Sequence, residues 1–138
     1  MVVNVKLGYN AKMPTRAHAL DAGYDLYSRE AKTIPAHGSA TFDTGVHIEI
    51  PEGHVGFLMS KSGLNVVYGL TGTGVIDAGY TGSIRVRLYN DSDKSFFVGY
   101  GTKLIQLVIL PIITPELKQV ESLEKTERGD CGFGSTGR

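Results

Sequence analysis

The chain has 138 residues, with 14 Lys and Arg balancing 14 Asp and Glu, a length that suits one domain able to bury roughly two-thirds of its surface without staples. The charge balance excludes the basic excess of a nucleic-acid surface, and no apolar run approaches the roughly 18 residues of a membrane span. A single cysteine, Cys131, excludes an intramolecular disulfide and suits a reducing compartment.

Eighteen glycines among abundant Val, Ile, Thr and Tyr, with no long helical period, predict a β protein with many turns. Val3, Val5 and Leu7 alternate with polar residues as a first strand. Residues 10–23 are irregular and run into Ala22-Gly23-Tyr24-Asp25-Leu26-Tyr27. Strand signals recur at Ala40–Phe42, Val46–Ile50 and His54–Met59, the last two separated by a Pro51-Glu52-Gly53 turn. Ser60-Lys61-Ser62-Gly63-Leu64 has no strand period and leaves room for one helical turn after it. Residues 69–74 read as a glycine-spaced hairpin. In the next strand Ile84, Val86 and Leu88 face one way and Arg85 and Arg87 the other. Residues 103–110 are nearly all apolar, so the strand is buried on both faces and the one amide inside it, Gln106, needs a specific partner. Strands recurring at intervals of about 8–12 residues point to a sandwich or jelly roll rather than βαβ units. The glycine-rich end, from Arg128 to Gly137, reads as a mobile arm.

Asp77 is the sharpest candidate for chemistry. It follows Val75 and Ile76 and precedes a Gly79-Tyr80-Thr81-Gly82 turn. A carboxylate between Ile76 and Tyr80 is expected to be poorly hydrated, which favours a proton acceptor; the bland alternative is a turn cap. The arm contains Gly132, Gly134 and Gly137 in the spacing of a dinucleotide loop, but a Rossmann fingerprint needs an acidic residue about 20 positions on, and only Arg138 remains. What survives is local: converging backbone N–H groups, the Ser135 and Thr136 hydroxyls and the Arg128 cation could hold a polyphosphate, and Phe133 could stack on a base. Lys61-Ser62-Gly63 offers a cation, a hydroxyl and an open amide without the glycine lead of a Walker loop. His18, His37, His47 and His54 show no metal-ligand spacing.

Five stretches in this order resemble the motifs of the trimeric dUTPases over essentially the whole chain: Ala22–Leu26, Lys61–Leu64, Gly74–Asn90, Gly101–Leu107 and Arg128–Gly137. The resemblance implies an all-β distorted jelly roll, residues 1–127, followed by an arm, residues 128–138. It implies a homotrimer whose active sites are shared between subunits, and a reaction converting dUTP and water to dUMP and pyrophosphate. That activity would limit uracil incorporation into DNA and supply dUMP for dTMP synthesis, and would be cytoplasmic. By the same resemblance, Asp77 activates the attacking water and Tyr80 packs on the deoxyribose. The turn at Gly72, Gly74, Val75 and Ile76 reads uracil through main-chain groups. Lys61, Ser62, Gly63 and Gln106 contact phosphate oxygens, and Asp25 holds Mg²⁺ through water. Arg128, Phe133, Gly134, Ser135 and Thr136 close over the nucleotide from another subunit. Two positions depart from the family pattern: Lys61 stands where Arg is usual, losing the planar fork, and Thr102 stands where an acid is usual. The rival dCTP deaminase reading would require a catalytic Glu where this chain has Arg87. An additional protein partner for such a fold is left open by the sequence.

Overall fold

The computed structural model describes residues 1–137. Eleven strands and one short helix follow in order: β1 (Val5–Leu7), β2 (Gly23–Tyr27), β3 (Lys32–Ile34), β4 (Ser39–Asp43), β5 (Val46–Ile48), β6 (His54–Met59), α1 (Ser62–Tyr68), β7 (Leu70–Thr71), β8 (Thr73–Asp77), β9 (Arg85–Asn90), β10 (Phe96–Val98) and β11 (Lys103–Pro111). All pairings between these strands are antiparallel. A four-stranded sheet runs β2-β11-β6-β8 and a three-stranded one β4-β9-β7, with β1-β5 and β10-β3 as two-stranded ribbons. This is the jelly-roll architecture read from the strand spacing.

The alternation in β9 survives intact: Val86, Leu88 and Asn90 are buried while Arg85, Arg87 and Tyr89 are exposed. Ile84, Val86 and Leu88 join Leu26, Ile34, Phe42, Val46, Leu58, Ile105 and Leu107 in one core. Each such side chain contributes about 1.5–3 kcal/mol on burial. β11 is a central strand, paired with both β2 and β6. Leu104, Ile105 and Leu107 are buried, but Gln106, Val108 and Ile109 are only partly so and Leu110 is exposed. The burial on both faces expected from its sequence is therefore incomplete in one chain. Asn90, buried at the end of β9, spends its amide on Ile34 O (3.3 Å) and Lys94 O (2.7 Å) and its carbonyl on the N–H and hydroxyl of Ser92.

Three expectations shift. The first strand is shorter, starting at Val5. The helical turn expected after Ser60 is a seven-residue helix, ended by Gly69 in the left-handed region (φ 70°), whose N–H donates to Asn65 O and Leu64 O. The hairpin expected at residues 69–74 does not form as a pair: β7 hydrogen-bonds to β9, and β8 to β6. Beyond β11 the chain is exposed throughout its described length. The arm residues bond only to near neighbours, as in Arg128 Nε to Cys131 O (2.9 Å) and Ser135 N–H to Gly132 O (2.9 Å). Arg138, the last residue of the expected arm, lies outside the described residues.

Candidate active site

Strands β8 and β9 are consecutive, yet they enter different sheets. Among the described residues, β8 is an edge strand whose one partner is β6, and the first four residues of β9 pair on one side, with β4. The two arms of this hairpin therefore splay, and backbone edges of both strands face a slot. The slot is a cavity of about 290 Å³ lined by Val75, Ile76, Asp77, Tyr80, Ser83, Ile84 and Arg85. Asp77 is the one carboxylate in that lining. Such unpaired edges carry N–H donors and C=O acceptors in fixed alternation, the equipment needed to read the edge of a planar base. A wider depression of about 510 Å³, between the end of α1 and residues 92–96, contains no residue of the predicted site.

Asp77 itself is exposed. Ile76 is buried and points to the opposite face of β8, because successive strand residues alternate. The dry setting expected from Ile76 is thus absent in a single chain. The Tyr80 N–H donates to Asp77 O (3.1 Å), closing the turn, and its hydroxyl donates to Ser83 O (3.0 Å). Gly82 is required beneath the ring: a Cβ there would lie 2.5 Å from the Tyr80 hydroxyl.

A second group of predicted residues gathers at the other end of β8. Ser60 is its centre. Its hydroxyl accepts from Gly72 N–H (3.0 Å) and donates to Gly72 O (3.0 Å), and its carbonyl accepts from Gln106 Nε2 (3.1 Å). Gln106 thus has the specific partner its burial demanded. Gly23 makes room for it, since a Cβ there would come within 2.8 Å of the Gln106 Cβ. Gly72 has both main-chain groups committed to Ser60, which leaves Gly74, Val75 and Ile76 as the predicted main-chain readers beside the slot. Ser62 and Gly63 open α1 and are exposed, with nothing within 4 Å of a Cβ placed on Gly63.

Asp25, 5% exposed on β2, sits under this loop. Lys61 Nζ donates to its Oδ1 and Lys103 Nζ lies 3.2 Å from its Oδ2. The carboxylate raises the Lys103 ammonium above its ordinary range, by hydrogen bond first and by charge second. The two residues assigned by sequence to phosphate (Lys61) and to metal (Asp25) are therefore each other's partners here, and Lys103 is a third member that the motif contained without a stated role. Among the described residues, no three His, Cys, Asp or Glu side chains converge as a metal site. One carboxylate already facing two ammonium groups does not suit direct ligation of Mg²⁺, which demands six oxygens in an octahedron. It suits contact through the ion's own waters, with the other ligands coming from a triphosphate.

The two groups are far apart within one chain. Four strand steps separate Thr73 from Asp77, and Met59 pairs with Thr73 two residues before Lys61. At ~3.3 Å per step, Lys61 lies roughly 20 Å from Asp77 along the sheet. The arm residues Arg128, Phe133, Gly134, Ser135 and Thr136 are all exposed, Phe133 fully so. Within one chain, Asp77 and Lys61 therefore stand at opposite ends of β8.

Sequence reasoning missed Ser83, Ile84 and Arg85 as slot-lining residues. Their signal was present, because a strand that starts at Arg85 after a tight Asp77–Gly82 turn must begin beside the end of its predecessor. The brace behind Ser83 was not legible: its hydroxyl donates to Asp43 Oδ1, which also accepts from Gly45 N–H (3.1 Å) and lies 3.2 Å from Arg29 Nη2. These contacts, the Ser83 bond foremost, hold the Asp43 carboxyl below its usual range. Its contribution to stability is therefore present above the ordinary carboxylate range and is lost as pH falls through the lowered folded value. Acid titration of thermal stability should show a decline below about pH 4. In Asp43→Asn that decline should be shallower, and an unchanged acid slope would remove Asp43 from the account.

A family model described as dUTPase matches residues 9–137. The deoxyuridine 5'-triphosphate nucleotidohydrolase of Candida albicans is 48% identical over 130 residues, covering 92% of this chain and 82% of that protein. The rice (Oryza sativa) enzyme of the same name is 46% identical over 133 residues, covering 96% of this chain and 78% of that protein. A variant of the Staphylococcus bacteriophage 80alpha dUTPase, solved with dUpNHpp, superposes with a TM-score of 0.92 at 39% identity over 99% of both chains. The dUTPase of S. aureus phage phi11, solved as a variant that reveals coordination of a structural Mg(II) ion, superposes with a TM-score of 0.83 at 37% identity, covering 91% of this chain and all of that one.

Proposed function

The chain belongs to the dUTPase family, and from that premise we propose that it hydrolyses dUTP to dUMP and pyrophosphate at sites built from more than one copy of itself. The observation that carries this reading is the splayed β8–β9 hairpin with Asp77 at its lip, which offers a base-sized slot and a proton acceptor together.

Uracil would enter the slot against main-chain groups of Gly74, Val75 and Ile76. Cytosine would bring donors to donors there, and each unpaired group costs about 1–3 kcal/mol. The deoxyribose would lie on the Tyr80 ring, whose close seat over Gly82 leaves no space for a 2′-hydroxyl. Asp77 accepts a proton from a water as its oxygen bonds to the α-phosphorus. The bond from that phosphorus to the bridging oxygen breaks, and pyrophosphate leaves with the electron pair.

The separation of roughly 20 Å between Asp77 and Lys61 supports a shared site, because a triphosphate whose α-phosphorus stands at Asp77 cannot reach the Lys61–Gln106 group of the same chain. In a homotrimer, Lys61, Ser62, Gly63 and Gln106 of a second copy would take the phosphates, Lys61 releasing Asp25 as it does so. Arg128, Phe133, Gly134, Ser135 and Thr136 of the arm, residues 128–138, would cover the nucleotide, with the β domain ending near residue 127. Mg²⁺ bound to the triphosphate would neutralise part of its charge, and Asp25 would meet the waters of that ion. The membrane plays no part in this reading; no helix among the described residues is long and apolar enough to cross one.

The test is pyrophosphate release from dUTP, dTTP, dCTP and UTP, with and without Mg²⁺. Turnover of dUTP alone, enhanced by Mg²⁺, is expected. Equal rates on dUTP and dTTP would remove the uracil slot, and ammonia release from dCTP would favour the deaminase.

A further inference from the structure

The Ser83–Ile84 peptide is held from several sides. Its N–H donates to Val46 O (2.9 Å), and its carbonyl accepts the Tyr80 hydroxyl (3.0 Å). The next carbonyl, that of Ile84, accepts from both the N–H (3.0 Å) and the hydroxyl (2.7 Å) of Thr44. Those bonds tether the main chain at the entry to β9. The Ser83 side chain adds a link of another kind: its hydroxyl donates to the Asp43 carboxylate, a charge-assisted bond. Asp43 is in turn held by Arg29, whose Nε donates to Asp43 O (2.9 Å) and whose Nη1 donates to Tyr9 O (2.9 Å). Arg85 stands further off, its Nε 3.9 Å from Asp43 Oδ2. An ordinary turn needs no such chain of charged side chains. It runs to the one peptide on which the Tyr80 hydroxyl rests.

We propose that Asp43 and Ser83 are positioning residues for nucleotide selection: by fixing the Ser83–Ile84 peptide they set the pose of the Tyr80 ring against the sugar. This rests on the reading of Tyr80 as the sugar-facing residue. Neither Asp43 nor Ser83 takes part in the proton transfer, so the brace acts on binding geometry and its loss reads out as selectivity. A ring free to shift by a fraction of an ångström admits a 2′-hydroxyl without disturbing Asp77.

The experiment compares kcat and KM for dUTP and UTP in wild type, Ser83→Ala, Asp43→Ala, Asp43→Asn and Tyr80→Ala, with thermal midpoints recorded for each. Ser83→Ala and Asp43→Ala should lower the dUTP-to-UTP ratio of kcat/KM about tenfold, since small misplacements of substrate-positioning groups have effects of that order or larger. The change should lie in KM, with kcat for dUTP within about twofold of wild type. Asp43→Asn keeps an oxygen for the Ser83 hydroxyl and should retain most of the ratio. Folded Ser83→Ala and Asp43→Ala proteins with the wild-type ratio, beside a Tyr80→Ala protein that has lost it, would overturn the brace and leave the role of Tyr80 standing. An unchanged ratio in Tyr80→Ala would remove the sugar-facing role and the brace with it. Should Asp43→Ala fail to fold, Ser83→Ala, which removes a single hydroxyl, decides the matter.

Discussion

Asp77→Asn is expected to bind a non-hydrolysable dUTP analogue within about threefold of wild type while its turnover falls at least about a hundredfold. Asparagine keeps the shape of the side chain and one acceptor oxygen, so the slot and the Asp77–Tyr80 turn persist. What it lacks is basicity. The loss should be nearly complete because the slot lining supplies one carboxylate and no histidine, so no neighbour stands ready to take the proton. Calorimetry with dUpNHpp and stopped assays of pyrophosphate separate the two effects. Turnover near the wild-type rate would exclude Asp77 as the base. Loss of binding in step with turnover would make it a substrate anchor instead.

Removal of Gly132–Arg138 should leave the fold and its thermal midpoint nearly unchanged, because the described arm residues bond only among themselves and to Thr126. Turnover should nevertheless drop at least about a hundredfold, the scale of losing preorganised donors at a phosphoryl centre. In the full chain, dUpNHpp should also slow tryptic cleavage after Arg128; failure to protect would argue against closure. The sharing of sites between copies gives a stronger check. Mixed and reassembled, the truncated chain and Asp77→Asn should recover activity that neither has alone, since a hybrid site can take its acid from one chain and its arm from another. Random assembly would restore about a quarter of the sites. No recovery after confirmed subunit exchange would place the acid and the arm in the same chain and sink the shared site.

The β class and the positions of the strands rest on many weak local signals that agree with one another. The period of two in β9 told which of its residues are core, whereas the nearly unbroken apolar run of β11 suggested burial on both faces, which one chain supplies only in part. The amide of Gln106 announced a partner. Less visible was the identity of that partner, Ser60 O, since it depends on β11 pairing with β6 across a gap of 46 residues. The same limit hid the meeting of Asp25 with Lys61 and Lys103, three residues that share no local pattern. It also hid the capture of Gly72 by Ser60, which commits to Ser60 a main-chain pair that the family resemblance assigned to uracil.

The error over the surroundings of Asp77 has a different origin. Ile76 adjoins it in sequence, but strand alternation sends the two side chains to opposite faces, so adjacency there means separation. By itself the sequence determined the β class and the core face of β9, which depend on composition and on a period of two residues, and the family, which depends on five motifs in a fixed order. The tertiary structure decided that β8 and β9 part into different sheets, that Ser83 beside the slot bonds to Asp43, and that Asp77 and Lys61 stand at opposite ends of one strand. Those are outcomes of register between distant segments, where a shift of one residue turns every side chain to the other face, and no short window of sequence contains that information.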